Sequence, residues 1–122
     1  AKFTLMDSIG KKVMVVEDMV DRLGLKNVIV RRGRVEEMPK KRSFDFVIGR
    51  AVTALPTFFG WVNNKIRKGS RNSPANGILY LKGGDYSEEL KSSGLCPAKI
   101  WKLDEIIPQA ELGDKYLIHF KI

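Results

Sequence analysis

The sequence predicts an α/β protein with a mostly parallel sheet. Three observations point there. Four short apolar runs recur along the chain: Phe3–Met6, Val28–Val30, Phe44–Ile48 and Ile78–Leu81. Between them lie segments with helical apolar spacing, so strands and helices alternate as in βαβ units. The chain has 122 residues and is 43% hydrophobic, which fits one domain around a buried core. Crossovers between the parallel strands are expected to be right-handed.

The elements follow in order. Phe3 to Met6 forms a first strand that ends at Asp7-Ser8. Val13, Val16, Met19, Val20 and Leu23 then form one helical stripe, with Glu17, Asp18, Asp21 and Arg22 on the other face. Ser8 is the expected N-cap of this helix and Gly24 its C-cap. A second strand, Val28 to Val30, runs into Arg31-Arg32-Gly33, and an acidic turn from Val35 to Met38 stops at Pro39. The third strand, Phe44 to Ile48, carries an unusual Asp45 and ends at Gly49-Arg50-Ala51. Pro56 suits the start of the next helix, whose apolar face is Phe58, Phe59, Trp61, Val62 and Ile66. Residues 68–77 are loop by composition, and Ile78 to Leu81 leads to Lys82-Gly83-Gly84. Ser87 to Ser92 forms a short helix. Lys99 to Leu103 and Tyr116 to Lys121 close the fold as an antiparallel pair joined through Pro108 to Asp114.

Composition excludes several function classes. One cysteine, Cys96, rules out an internal disulfide framework and an all-cysteine zinc site. One histidine, His119, leaves little for a metal centre or a Ser-His-Asp triad, so no metal is expected. No apolar run approaches the roughly 18 residues that a spanning helix needs, and no membrane partner is expected. Cys96 reads as structural and His119 as packed or exposed, not functional.

The net charge of +8 is one-sided. Residues 1–72 hold 16 Lys and Arg against 7 Asp and Glu, and residues 73–122 hold 6 against 7. A basic half calls for an anionic partner, with nucleic acid the first candidate. The clusters are Arg31-Arg32-Arg34, Lys40-Lys41-Arg42 and Lys65-Arg67-Lys68-Arg71. They are phosphate contacts or simply a solvated face, and for Lys40-Lys41-Arg42 the two readings weigh equally. Trp61, Phe58 and Phe59 sit at helical spacing and belong to the core.

Each of the four leading strands ends in a charged residue beside a small one: Asp7-Ser8, Gly33-Arg34, Gly49-Arg50 and Lys82-Gly83. In open α/β sheets ligands bind at the carboxyl ends of strands. One charged residue after a strand is ordinary surface, whereas four at equivalent places with opposite signs point to a site. Asp7 is either a local cap or a carboxylate that accepts hydrogen bonds from the ribose of a nucleoside cofactor.

FTLMDSIGKKV (3–13), NVIVRRGRVEE (27–37), FDFVIGRAVTALP (44–56) and LYLKGG (79–84), in that order and spacing, resemble the RsmG (GidB) family. Its members are S-adenosylmethionine-dependent methyltransferases that modify N7 of a guanosine in 16S, small-subunit ribosomal RNA. The resemblance implies a Rossmann-like class I methyltransferase sheet and one domain over residues 1–122. It implies that Asp7 and Ser8 hold the cofactor ribose and that Arg34, Val35 and Glu36 border its adenine. Arg50 and Lys82 match marked family positions at the strand ends facing cofactor and RNA and are the catalytic candidates, with Arg50 also at the cofactor. Arg31, Arg32, Lys65, Arg67 and Lys68 are the accompanying RNA-binding candidates. The chemistry suits this inventory, because guanine N7 carries a lone pair and no proton and needs no general base.

The family's first strand and glycine-rich turn have no counterpart here, and the chain opens at Ala1. The expectation is an N-terminally truncated domain, inactive alone. The strands ending at Asp7 and Arg50 then pair directly, self-associate with a second copy, or are completed by a segment outside this sequence. The long Arg67–Gly77 stretch points to an organellar or eukaryotic source; otherwise the location is cytoplasmic. Two other readings stay open: a different Rossmann-like methyltransferase or dehydrogenase, and a non-catalytic basic α/β module that binds RNA.

Overall fold

A computed structural model describes residues 1–50, 54–69 and 74–122. The chain divides into two compact units, Ala1–Pro39 and Lys40–Ile122.

In the first unit, β1 (Phe3–Asp7) and β2 (Val28–Arg32) pair in parallel, from Phe3 opposite Val28 to Asp7 opposite Arg32. Helix α1 (Gly10–Leu23) makes the crossover. Val13 is buried, Val16 and Val20 are half-buried, and Met19 and Leu23 at the edge of the expected stripe remain exposed. Gly24 is the C-cap, with a left-handed φ of 65° that glycine adopts without a Cβ penalty. Ser8 is not the N-cap. That position is Ile9, and the local bond comes from Asp7, whose Oδ1 accepts the Ile9 N–H at 2.9 Å. An aspartate two residues before an amide closes this Asx turn more readily than a serine next to it.

In the second unit, β3 (Phe46–Arg50), β4 (Gly77–Gly83), β5 (Lys99–Lys102) and β6 (Lys115–Lys121) form one sheet in the order β3-β4-β6-β5. β3 and β4 are parallel, and β6 runs antiparallel to both β4 and β5, as expected for the closing strands. Helix α2 (Leu55–Val62) follows β3 and α3 (Ser87–Ser93) follows β4. A one-turn helix, α4 (Leu103–Ile106), follows β5 directly and takes Leu103 from the end of the expected strand. The core of this unit is Leu55, Phe58, Val62, Ile66, Ile78, Tyr80, Ile118 and Phe120. Phe58 packs on Tyr80 with ring centres 5.8 Å apart, and Phe59 meets Phe120 edge-on at 6.2 Å. Phe58 is core, as its spacing predicted, whereas Phe59 and Trp61 are half-buried. A Cβ on Gly49 would lie 2.3 Å from the Phe58 ring, so α2 sits against β3 only because position 49 has no side chain.

Strand β3 begins two residues later than the apolar run. Phe44 instead bridges Ile66, and Asp45 accepts hydrogen bonds from Arg67 Nε at 3.1 Å and Asn76 Nδ2 at 3.2 Å. This network accounts for a carboxylate in an otherwise apolar run. The strands ending at Asp7 and Arg50 belong to separate sheets, one in each unit. Among the described residues no helix is long and apolar enough to cross a membrane.

Candidate functional site

The first unit assembles its candidate residues at the carboxyl end of β1–β2. Register places Asp7 beside Arg32, and the Gly33 N–H donates to the Asp7 carbonyl at 3.0 Å. The ladder therefore continues one residue past β2, and a 3-10 turn follows at Val35–Glu37. Asp7 is half-buried. One of its carboxylate oxygens is engaged by Ile9, and the other accepts no hydrogen bond from the described residues. Ser8 is exposed, while Val35 and Glu36 are half-buried. Arg34 is exposed and lies 3.8 Å from Glu36, a loose contact. Arg31 and Arg32 are exposed. The Arg32 guanidinium lies against the first turn of α1, where a Cβ on Gly10 would come within 3.0 Å of Nη1.

The second unit places Arg50 and Lys82 at the carboxyl end of the parallel pair β3–β4. Arg50 is in register with Leu81, and Lys82 is one residue on. Because side chains alternate along a strand, Lys82 shares a face with Tyr80 and Gly49, the face that carries α2. Arg50 and the exposed Ile48 share the other face. The two cations thus share an end but point to opposite sides of the sheet. Arg50 is exposed and forms no hydrogen bond or ion pair among the described residues. Lys82 pairs with Glu89 on α3 at 2.8 Å, with both side chains about a quarter exposed. The hydrogen bond that the ammonium donates to Glu89 raises the Lys82 pKa above its ordinary value, against a smaller desolvation effect. Burial raises the Tyr80 pKa, and the negative charge of Glu89 adds to it.

The basic clusters divide. Lys65 is not a surface cation: it is 3% exposed and its ammonium donates to the Trp61 carbonyl. Its place after α2 turns it back toward the helix's last carbonyls, so the expectation that it meets RNA is corrected. Arg42 donates to the carbonyls of Asn63 and Ile66 at 3.2 and 2.7 Å and tethers the same segment. Arg67 pairs with Asp45, half-exposed, whereas Lys40, Lys41 and Lys68 are exposed. Arg71 and Ala51 lie outside the described residues. His119 is buried with Nε2 2.7 Å from the Ala75 carbonyl, and Cys96 is exposed. The sequence reading missed Glu89. Glu88 and Glu89 both fall in the first turn of α3, and only the structure shows which one faces Lys82.

Similarity to solved structures defines the class. The fold is shared with an S-adenosylmethionine-dependent methyltransferase from Aquifex aeolicus at a TM-score of 0.64 and 15% identity, over 96% of this chain and 66% of that one. The fold is therefore a Rossmann-like α/β fold. Residues 1–107 match the family model for rRNA small subunit methyltransferase G, and the chain belongs to that family. The ribosomal RNA small subunit methyltransferase G of Flavobacterium johnsoniae is 43% identical over 121 residues, which are 99% of this chain and 56% of that protein. The protein of the same name from Christiangramia forsetii is 44% identical over 117 residues, 96% of this chain and 54% of that protein. The chain thus spans about half the length of these relatives.

Proposed function

We propose that this chain is part of an S-adenosylmethionine-dependent methyltransferase that acts on N7 of a guanosine in small-subunit ribosomal RNA, in the cytoplasm. The observation that carries the reading is the family match over residues 1–107. We include both compact units in one methyltransferase domain.

The residues present fit the cofactor. A nucleoside needs a carboxylate with accepting capacity at a strand's carboxyl end, and Asp7 has one oxygen uncommitted there. Ser8 lies next to it, and Arg34, Val35 and Glu36, which follow β2 at the same end, border the adenine. S-adenosylmethionine supplies a methyl group on a positively charged sulfur. Guanine N7 has a lone pair and no proton, so no residue here needs to act as a base. Arg50 and Lys82 instead orient the RNA and its charge. A cation placed on N7 would block that atom, so their contacts belong at guanine O6 or phosphate. The exposed Arg31, Arg32 and Lys68 hold phosphates, which supply affinity without sequence information.

Calorimetry with S-adenosylhomocysteine and mass-spectrometric mapping of methylated small-subunit RNA, both on the full-length protein, test the reading. Binding together with N7-methylguanosine is the expected result. RNA binding without cofactor binding would favour the non-catalytic module, and methylation at another atom would reject the N7 assignment.

A further inference from the structure

We propose that Glu89 is a positioning residue that fixes the Lys82 ammonium at the carboxyl end of β4 and ties it to the start of α2. The inference rests on the role proposed above for Lys82.

The Glu89 carboxylate uses both oxygens. Oε2 takes the Lys82 ammonium at 2.8 Å, and Oε1 accepts the Leu55 N–H at 3.2 Å. One side chain on α3 therefore joins the end of β4 to the first residue of α2. The contact with α2 replaces something the sequence lacks there. The N-cap of α2 is Ala54, which has no side-chain acceptor, so the first helical N–H would be unmatched. Glu89 caps it from another element. Lys82 is thereby anchored to the same group that fixes the helix.

The anchoring matters for the chemistry proposed. Alkylation at guanine N7 places a positive charge on the base. A lysine free to swing toward N7 would oppose that charge, whereas a lysine held by a carboxylate presents a fixed and partly neutralised cation. A flexible four-carbon stem does not provide such a position unaided.

The test uses the full-length protein with Glu89→Gln, Lys82→Met and the double variant. Glu89→Gln keeps an oxygen for the Leu55 N–H and removes only the charge. The expected result is a fall in kcat of about tenfold, with KM for the cofactor within about twofold. In the Lys82→Met background Glu89→Gln should have no further effect on kcat, since a residue that acts through another is non-additive with it. A second readout does not depend on methyl transfer: carbon-13 NMR of reductively methylated lysines should show Lys82 titrating above the exposed lysines, and returning to them in Glu89→Gln. If Glu89→Gln does not fold, Glu89→Asp replaces it, with a partial loss expected in both readouts. Additive losses, or an unmoved Lys82 titration, overturn the proposal and leave Glu89 as a helix cap only. Normal methyl transfer by Lys82→Met sinks the role of Lys82 and the positioning role with it. Absence of RNA methylation in the unaltered protein is read separately, as failure of the proposed function.

Discussion

Asp7 and Lys65 behave in opposite ways to their surroundings. Asp7 stays half-buried with one oxygen closing its own turn and one uncommitted. Lys65 is folded away, its charge matched to a backbone carbonyl. Asp7→Ala should therefore weaken S-adenosylhomocysteine binding by about 1.5–3 kcal/mol, the scale of hydrogen bonds to a charged group. Asp7→Asn keeps the oxygen that closes the turn, so its melting temperature should stay near that of the parent while its affinity falls. Unchanged affinity in both variants would reject the ribose role. Lys65→Ala should lower stability by about 1–3 kcal/mol, through lost packing and an unmatched carbonyl, and leave RNA affinity alone. A fall in RNA affinity at unchanged stability would put Lys65 back among the phosphate contacts.

At the scale of elements, most of the architecture was legible. Apolar runs of strand length and a helical stripe are properties of local sequence, and β1, α1, β2, β4 and the antiparallel closing pair lie within a residue or two of where they were expected. The misses share a cause. The pairing of Phe44 with Ile66 and the junction at Glu89 each depend on a partner that local sequence does not name. Gly49 shows how tight such a junction is. Gly49→Ala would drive a methyl into the Phe58 ring and should cost about 1–3 kcal/mol, as overpacking does. Urea unfolding checks this, and adding Phe58→Leu should restore part of the loss. The β4–α3 junction also sets an alkaline limit. Tyr80 and Lys82 both have folded pKa values raised above their ordinary 10.0 and 10.5. The unfolded chain gives up these protons first as pH rises. The stability they contribute is thus full below pH 10.0 and is lost as pH climbs through the folded values. Urea midpoints taken through the alkaline range should fall there, and should fall less in Glu89→Gln. An equal fall in both proteins would separate Glu89 from the titration.

For the whole molecule, charge was the most legible property and the least specific. An excess of basic residues in positions 1–72 is visible on counting, but counting gives every cation equal weight. The structure commits Lys65 and Arg42 to backbone carbonyls and pairs Arg67 with Asp45. Arg31, Arg32, Lys40, Lys41 and Lys68 keep exposed charges that can release counterions from RNA. Salt dependence separates the two groups. Affinity for a single-stranded RNA should fall with salt by a log–log slope of about −0.7 for each phosphate neutralised. Replacing Lys40 and Lys41 with Gln should flatten that slope by about 1.4 if both reach phosphate. Replacing Arg42 should leave the slope unchanged and lower the melting temperature, because its guanidinium tethers the segment after α2 and does not serve the solvent face. Affinity that ignores salt would make every one of these cations ordinary surface. An Arg42 variant that flattens the slope at full stability would show that RNA draws its guanidinium away from the Asn63 and Ile66 carbonyls.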